Sequence, residues 1–231
     1  MKIAHKGLNL PQGKIKYNDG IFVDLVEKFQ PAKVSPYYFE ILPEENYEAA
    51  DNIVIANDYV LDLLILDMEK TEGRLSRTDD LTEAAVLEKC MLQLEDQKPI
   101  CDLSMDNTEW AIVRALNLLS FKPTMIYKDT SPDVNIVCRD GMDKAGMMFF
   151  YTVGKEEVHA WLVEKDTGAS TCAGKIHTDL SRGFIKAELV SCDDMMTAHN
   201  MQDARSRKLT KLVDRDYVIP MNSILDIRFN T

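Results

Sequence analysis

The stretch GLNLPQGKI, Gly7 to Ile15, holds the residue types that bind phosphate. A phosphate loop reads G-x-x-x-x-G-K-[ST] after a strand: the glycines let backbone amides turn onto the phosphates, the lysine neutralises their charge, and the hydroxyl holds magnesium. Here five residues separate Gly7 from Gly13 where the motif needs four, and Ile15 stands where the hydroxyl belongs. Isoleucine offers no oxygen to a metal. Lys16 to Gly20 (KYNDG) reads as a turn, so no helix N-terminus is expected to face the phosphates. Each charged hydrogen bond lost from such a site costs roughly 1.5–3 kcal/mol. Gly13 and Lys14 are what remains for a nucleotide, and the loop is expected to be a plain turn.

Two other polar groupings lie near the C-terminal end. His177, Thr178, Asp179, Arg182 and Gly183 form a polar loop. It is either a binding surface or turn chemistry, with Asp179 capping and Gly183 supplying an unusual backbone angle. Arg205, Arg207, Lys208, Lys211 and Arg215 form a basic cluster on a helix expected over residues 200–213. It reads either as an RNA-phosphate contact or as a solvated face whose field Asp203, Asp214 and Asp216 dilute. Trp161 and Phe184 fall on expected strands and are assigned to the core. His5, His159 and His199 have no metal-ligand spacing. Five widely spaced cysteines without a C-x-x-C argue against a zinc site or a disulfide framework. No catalytic residue and no metal ligand is assigned.

The net charge of −11 is unevenly placed: 11 Lys+Arg face 12 Asp+Glu from Met147 onward, against 16 and 26 before it. The acidic front argues against broad nucleic-acid binding, and no DNA partner is expected. No apolar run approaches the roughly 20 residues of a membrane span. No signal peptide is read in MKIAHKGLNL, which Pro11 and Gly13 follow at once. A cytoplasmic protein is expected.

These residues must be positioned by a mixed set of elements. Ile21–Phe29 has helical spacing; Tyr37–Leu42 and Asn52–Ala56 read as strands. A helix capped by Asp58 is expected to turn Leu61, Leu64, Ile65 and Met68 inward. Asp80 with Glu83 opens a second helix, with Leu81, Ala84, Leu87, Met91 and Leu94 inward, and Asp106 with Glu109 opens a third. Thr124–Tyr127 returns as a strand. Breakers at Ser131–Asp133 and Arg139–Gly141 place a boundary between Gly141 and Gly146. Beyond it Val158–Val163, Phe184–Val190, Tyr217–Ile219 and Ile224–Phe229 read as strands. The expected class is α/β (α+β overall), with a first part over 1–146 that carries a helical insertion at about 57–120, and a second part over 147–231.

Val158–Asp194, and above all AGKIHTDLSRGFIKAE, resembles the C-terminal TGS domain of the YchF family, also called the Obg-like ATPases. YTVGKEEVHAW and ILDIRFN fit the same pattern. LVEKFQPAKVSPYYFEI, DLLILDMEKTEGRL and PICDLSMDNTEWAIVRALNLLSFKPTMIY resemble, in order, the approach to that family's second switch, the entry to its helical insertion and the return from it. The resemblance implies a reduced P-loop-NTPase-like sheet with a helical hairpin insertion, followed by a β-grasp (ubiquitin-like) TGS domain. It implies a partner among RNA, the ribosome or a protein, met through the TGS module; the polar loop and basic cluster supply the candidate surface, His177, Asp179, Arg182, Arg205, Arg207, Lys208 and Lys211.

The departures fall on the chemistry. LPQGKI alone matches the phosphate loop, and the helix and first switch that should follow are absent. Pro43-Glu44-Glu45-Asn46 stands where D-x-x-G should be. Lys128–Pro132 lacks the base-reading N-x-x-E. The expectation is a non-enzymatic binding or regulatory protein without cofactor. The alternative is a residual ATP or GTP site with magnesium and weak NTPase activity. If the lost segments left an edge strand uncovered, pairing through that edge is a third possibility.

Overall fold

The computed structural model describes residues 1–230. In chain order the elements begin with β1 (Lys2–Lys6), β2 (Gly13–Lys16), α1 (Gly20–Phe29), β3 (Lys33–Ser35), β4 (Tyr38–Ile41) and β5 (Asn52–Ala56). Then come α2 (Val60–Leu75), α3 (Leu81–Glu95), α4 (Asn107–Ala115), β6 (Thr124–Tyr127) and α5 (Val134–Lys144). The remainder comprises β7 (Met147–Val153), β8 (Glu157–Glu164), α6 (Ala169–Ile176), α7 (Thr178–Arg182), β9 (Phe184–Ser191), α8 (Cys192–Thr197), α9 (Met201–Ser206), β10 (Lys211–Val213) and β11 (Ser223–Phe229). Two compact units result, a mixed α/β architecture with one sheet each: residues 1–15 with 39–145, and residues 16–38 with 146 onward. Among the described residues no helix is long and apolar enough to cross a membrane.

The first unit holds the sheet β2-β4-β1-β5-β6, in which β1 runs parallel to both β4 and β5, and β5 parallel to β6. Every residue of β5 is buried, as a strand covered on both faces requires. Ala4, Ile53 and Ile55 pack against Leu63, Leu64, Leu87, Cys90, Leu94 and Val113 of the helical excursion. Local chemistry starts those helices: Asp80 accepts the amides of Thr82 and Glu83, and Asp106 with Glu109 forms a complete capping box.

The inward face of α2 differs from the expected one. Leu63, Leu64, Asp67 and Thr71 point inward, while Leu61 and Ile65 stay 51% and 52% exposed. A reading by hydrophobicity misses this because two inward residues are polar. Thr71 donates to the Asp67 carbonyl, and the buried Asp67 carboxylate accepts the amides of Leu119 and Ser120, each at 2.7 Å. Leu81, expected inside, is 87% exposed at the first position of α3. Asp133 caps α5, which runs through the Arg139–Gly141 stretch read as a breaker, and the unit ends at Ala145. A side chain at Gly141 would crowd Asn52, whose Nδ2 donates to the Gly141 carbonyl across 2.6 Å.

The second unit holds the sheet β10-β9-β11-β7-β8-β3. β7–β8, β9–β11 and β9–β10 are antiparallel, while β11–β7 and β3–β8 are parallel. Residues 16–38, which the sequence reading put in the first part, lie here. β3 completes the edge beside Glu157, Val158 and His159, and the Tyr151 hydroxyl donates to Asp19 at 2.6 Å. The expected turn before Gly20 is the start of α1, with Asp19 accepting the Ile21 amide. Phe150, Phe184, Ala187, Val213 and Leu225 pack with Ala169, Cys172 and Ala173 of α6. The helix expected over 200–213 stops at Ser206. Lys208 takes a left-handed φ of 59°, and Lys211–Val213 pairs with β9 as β10. All five cysteines are free.

Candidate functional site

The loop between β1 and β2 is where phosphate chemistry was expected. Gly7 has a φ of 70° and directs its amide to the Glu44 carboxylate at 2.6 Å. A Cβ at Gly7 would sit 2.3 Å from the Tyr59 ring, so glycine is needed there to admit an aromatic side chain. The Asn9 amide donates to the Thr130 carbonyl at 2.7 Å. Lys6 is held by Glu45 at 2.6 Å and Asp62 at 2.9 Å, and lies over the Tyr59 ring. Hydrogen bonds donated to those two carboxylates push the Lys6 ammonium well above its ordinary pKa.

Gly13 and Lys14 do not join this cluster. The expected plain turn is a strand: Gly13 opens β2 with a φ of 97° and open space around it, and Lys14 is exposed on that edge strand. Glu44, Glu45 and Tyr59 carry the local structure, and no site role was expected of them. The one available signal was the acid pair standing in place of D-x-x-G. Behind the loop, His5 is 4% exposed, and neither ring nitrogen has a hydrogen-bond partner among the described residues. Burial lowers its pKa, against an opposing pull from Glu44.

In the second unit, the expected surface residues split into two groups. His177 ends α6 and caps α7, its Nδ1 accepting the Asp179 amide at 3.2 Å. The Asp179 carboxylate lies 3.4 Å from that nitrogen and 3.6 Å from Arg182, and all three side chains are well exposed. The cap is therefore His177 and not Asp179. Gly183 has an ordinary backbone angle; glycine is needed because a Cβ would fall 2.0 Å from the Asn230 carbonyl oxygen.

The basic cluster is not one face. Arg205 reaches over the sheet to Glu188 and Asp226, both at 2.7 Å, and Arg228 joins Glu188 at 2.9 Å. Burial raises the Glu188 carboxyl, but hydrogen bonds from Thr210, Arg205 and Arg228 outweigh it and hold the group below its ordinary range. Arg205 thus neutralises a buried acid. Arg207 donates to the Thr197 carbonyl at 2.7 Å, and Lys211 lies over the Tyr217 ring at 4.4 Å. Lys208 is exposed at the turn.

Residues 147–230 match the family model YchF-GTPase_C, described as a protein of unknown function (DUF933). The "Ribosome-binding ATPase YchF" of Bacillus subtilis (strain 168) is 25% identical over 236 residues, covering 74% of this chain and 64% of that protein. The protein of the same name from Escherichia coli O157:H7 is 25% identical over 244 residues, covering 78% of this chain and 66% of its own length. The chain is thus similar to the YchF proteins over about three quarters of its length. It spans slightly less than two thirds of these YchF relatives. The YchF GTPase of Schizosaccharomyces pombe has the same fold, with a TM-score of 0.77 at 18% identity over 93% of this chain and 86% of that one.

Set against the nucleotide that those relatives' names imply, the β1 loop of this chain does not fit. The Gly7 amide faces a carboxylate, the Gly7 Cα is covered by Tyr59, and Lys14 sits exposed on an edge strand.

Proposed function

We propose that this chain is a non-enzymatic member of the YchF family that associates with the ribosome in the cytoplasm. On this reading its C-terminal part, 147–231, is a TGS-type β-grasp module that meets RNA, the ribosome or a protein partner. The first unit serves as a scaffold. The observation that carries the non-enzymatic reading is the Glu44 carboxylate on the Gly7 amide: an acidic side chain repels the phosphate that this amide would otherwise receive. The ribosomal reading is supported by the names of the relatives. His177, Asp179, Arg182 and Lys208 are the exposed candidates for contact, with Lys211 at the edge strand.

The test is calorimetric titration with ATP and with GTP, each with magnesium, followed by co-sedimentation with ribosomes. Silence with both nucleotides and retention in the ribosomal pellet are expected. Nucleotide binding tighter than about 100 μM, roughly −5.5 kcal/mol, would overturn the non-enzymatic reading. It would favour the second one, a residual ATP or GTP site using Gly13 and Lys14, for which the relatives' names speak. A chain left in the supernatant at low salt would overturn the ribosomal reading.

A further inference from the structure

In the sheet of the second unit, β11 is paired on one side along its whole length and on the other only at its start. β11 pairs with β9 from Ser223 to Phe229, but with β7 only at Ser223 and Ile224. Beyond that point Thr152 and Val153 pair only with β8, and β7 ends at Val153 while β11 runs on to Phe229. In an antiparallel pair every second residue turns its N–H and C=O away from the partner strand. From Asp226 to Phe229, β11 has no register partner on the β7 side among the described residues, and Ile227 turns its main-chain groups to that side. A cleft of about 350 Å³ lies there, lined by Thr152, Ile176, Leu180, Leu225, Ile227 and Phe229, with Met201 and Asp226 beside them.

We infer that this cleft is a docking slot in which one extended polypeptide segment, with apolar side chains at alternate positions, adds to the edge of β11. Three observations select that occupant. Main-chain donors and acceptors at strand spacing are matched by another main chain. The lining is apolar, and no lysine or arginine belongs to it, so a phosphate-bearing ligand finds no counter-charge. Its one acid, Asp226, is already held by Arg205 at 2.7 Å. Finally, the cleft lies beside the stretch of β11 that has no partner strand on this side among the described residues, an edge to which one further strand can add. Phe229, 43% exposed, supplies an anchor at its mouth. The inference is independent of what the first unit binds.

The whole chain is panned against displayed random peptides, and the enriched sequences are remade with a fluorescent label for polarisation titration and hydrogen exchange. Enriched peptides are expected to alternate apolar and polar residues and to slow amide exchange in β11 by about tenfold or more. A central proline in the peptide removes a main-chain donor, and it should weaken binding by about tenfold or more, as should Phe229→Lys in the protein. Phe229 is partly exposed, so this variant is expected to remain folded, and its circular dichroism verifies that. Failure to enrich any peptide overturns the inference. So do peptides that bind Phe229→Lys equally well and leave β11 exchange unchanged, or a labelled single-stranded RNA that alone protects β11.

Discussion

The Gly7 amide donates to the Glu44 carboxylate at 2.6 Å, so the chain brings an anion of its own to the place where a phosphate loop presents its amides. Glu44→Gln keeps the acceptor oxygen but removes the charge. In this exposed setting the loss of stability is expected to be small, about 0.5–1 kcal/mol. Nucleotide titration should stay silent, because Tyr59 and the strand geometry of Lys14 are unchanged. A titration in which Glu44→Gln gains micromolar ATP affinity would show that the carboxylate alone closes the site.

Gly7→Ala meets two obstacles, a left-handed φ of 70° and a Cβ 2.3 Å from the Tyr59 ring. The backbone alone costs roughly 1–2 kcal/mol, and the clash adds to it. Urea unfolding should show a loss beyond that range. Tyr59→Ala in the same chain should recover the steric part while the backbone part persists. Equal losses in both backgrounds would mean that the ring is not the obstacle.

Asp67→Ala orphans the amides of Leu119 and Ser120 in a buried site. At roughly 1–3 kcal/mol for each group, a loss of about 3 kcal/mol is expected. Asp67→Asn keeps one acceptor oxygen and should lose less. Denaturant midpoints of the two variants give the comparison.

Acid should weaken the first unit through His5. Burial lowers its pKa below the ordinary 6.5, so at pH 7.5 it is neutral in both folded and unfolded states. As pH falls through 6.5 the unfolded chain takes a proton that the folded chain refuses, and stability drops by up to about 1.4 kcal/mol per pH unit until the folded pKa is reached. His159, also lowered by burial, acts with the same sign in the second unit, and Asp19, raised by burial, acts with the opposite sign. The measurement is therefore a difference: urea unfolding of the parent and of His5→Leu at pH 7.5 and 5.5. The parent should lose more on acidification, and equal losses would remove His5 from the account.

The sequence by itself determined what depends on a few neighbouring residues. Asp80 and Asp106 cap helices because a side chain reaches an amide three residues on. NIVIA is a buried strand because five consecutive uncharged residues, four of them apolar, suit a site covered on both faces. The ordered resemblance to the YchF family was likewise legible in residues such as AGKIHTDLSRGFIKAE. Tertiary structure alone decided what depends on distant partners. Residues 16–38 join the second sheet because β8 offers β3 an edge more than a hundred positions along the chain. Lys211–Val213 is a strand because β9 is beside it, although its charges and leucines suited a helix. Arg205 belongs to a buried acid because Glu188 lies beneath it. Gly7 serves Tyr59 and Glu44 because the chain returns both to that loop. In each case the local pattern allowed two outcomes, and pairing or burial across the fold supplied the free energy that chose between them.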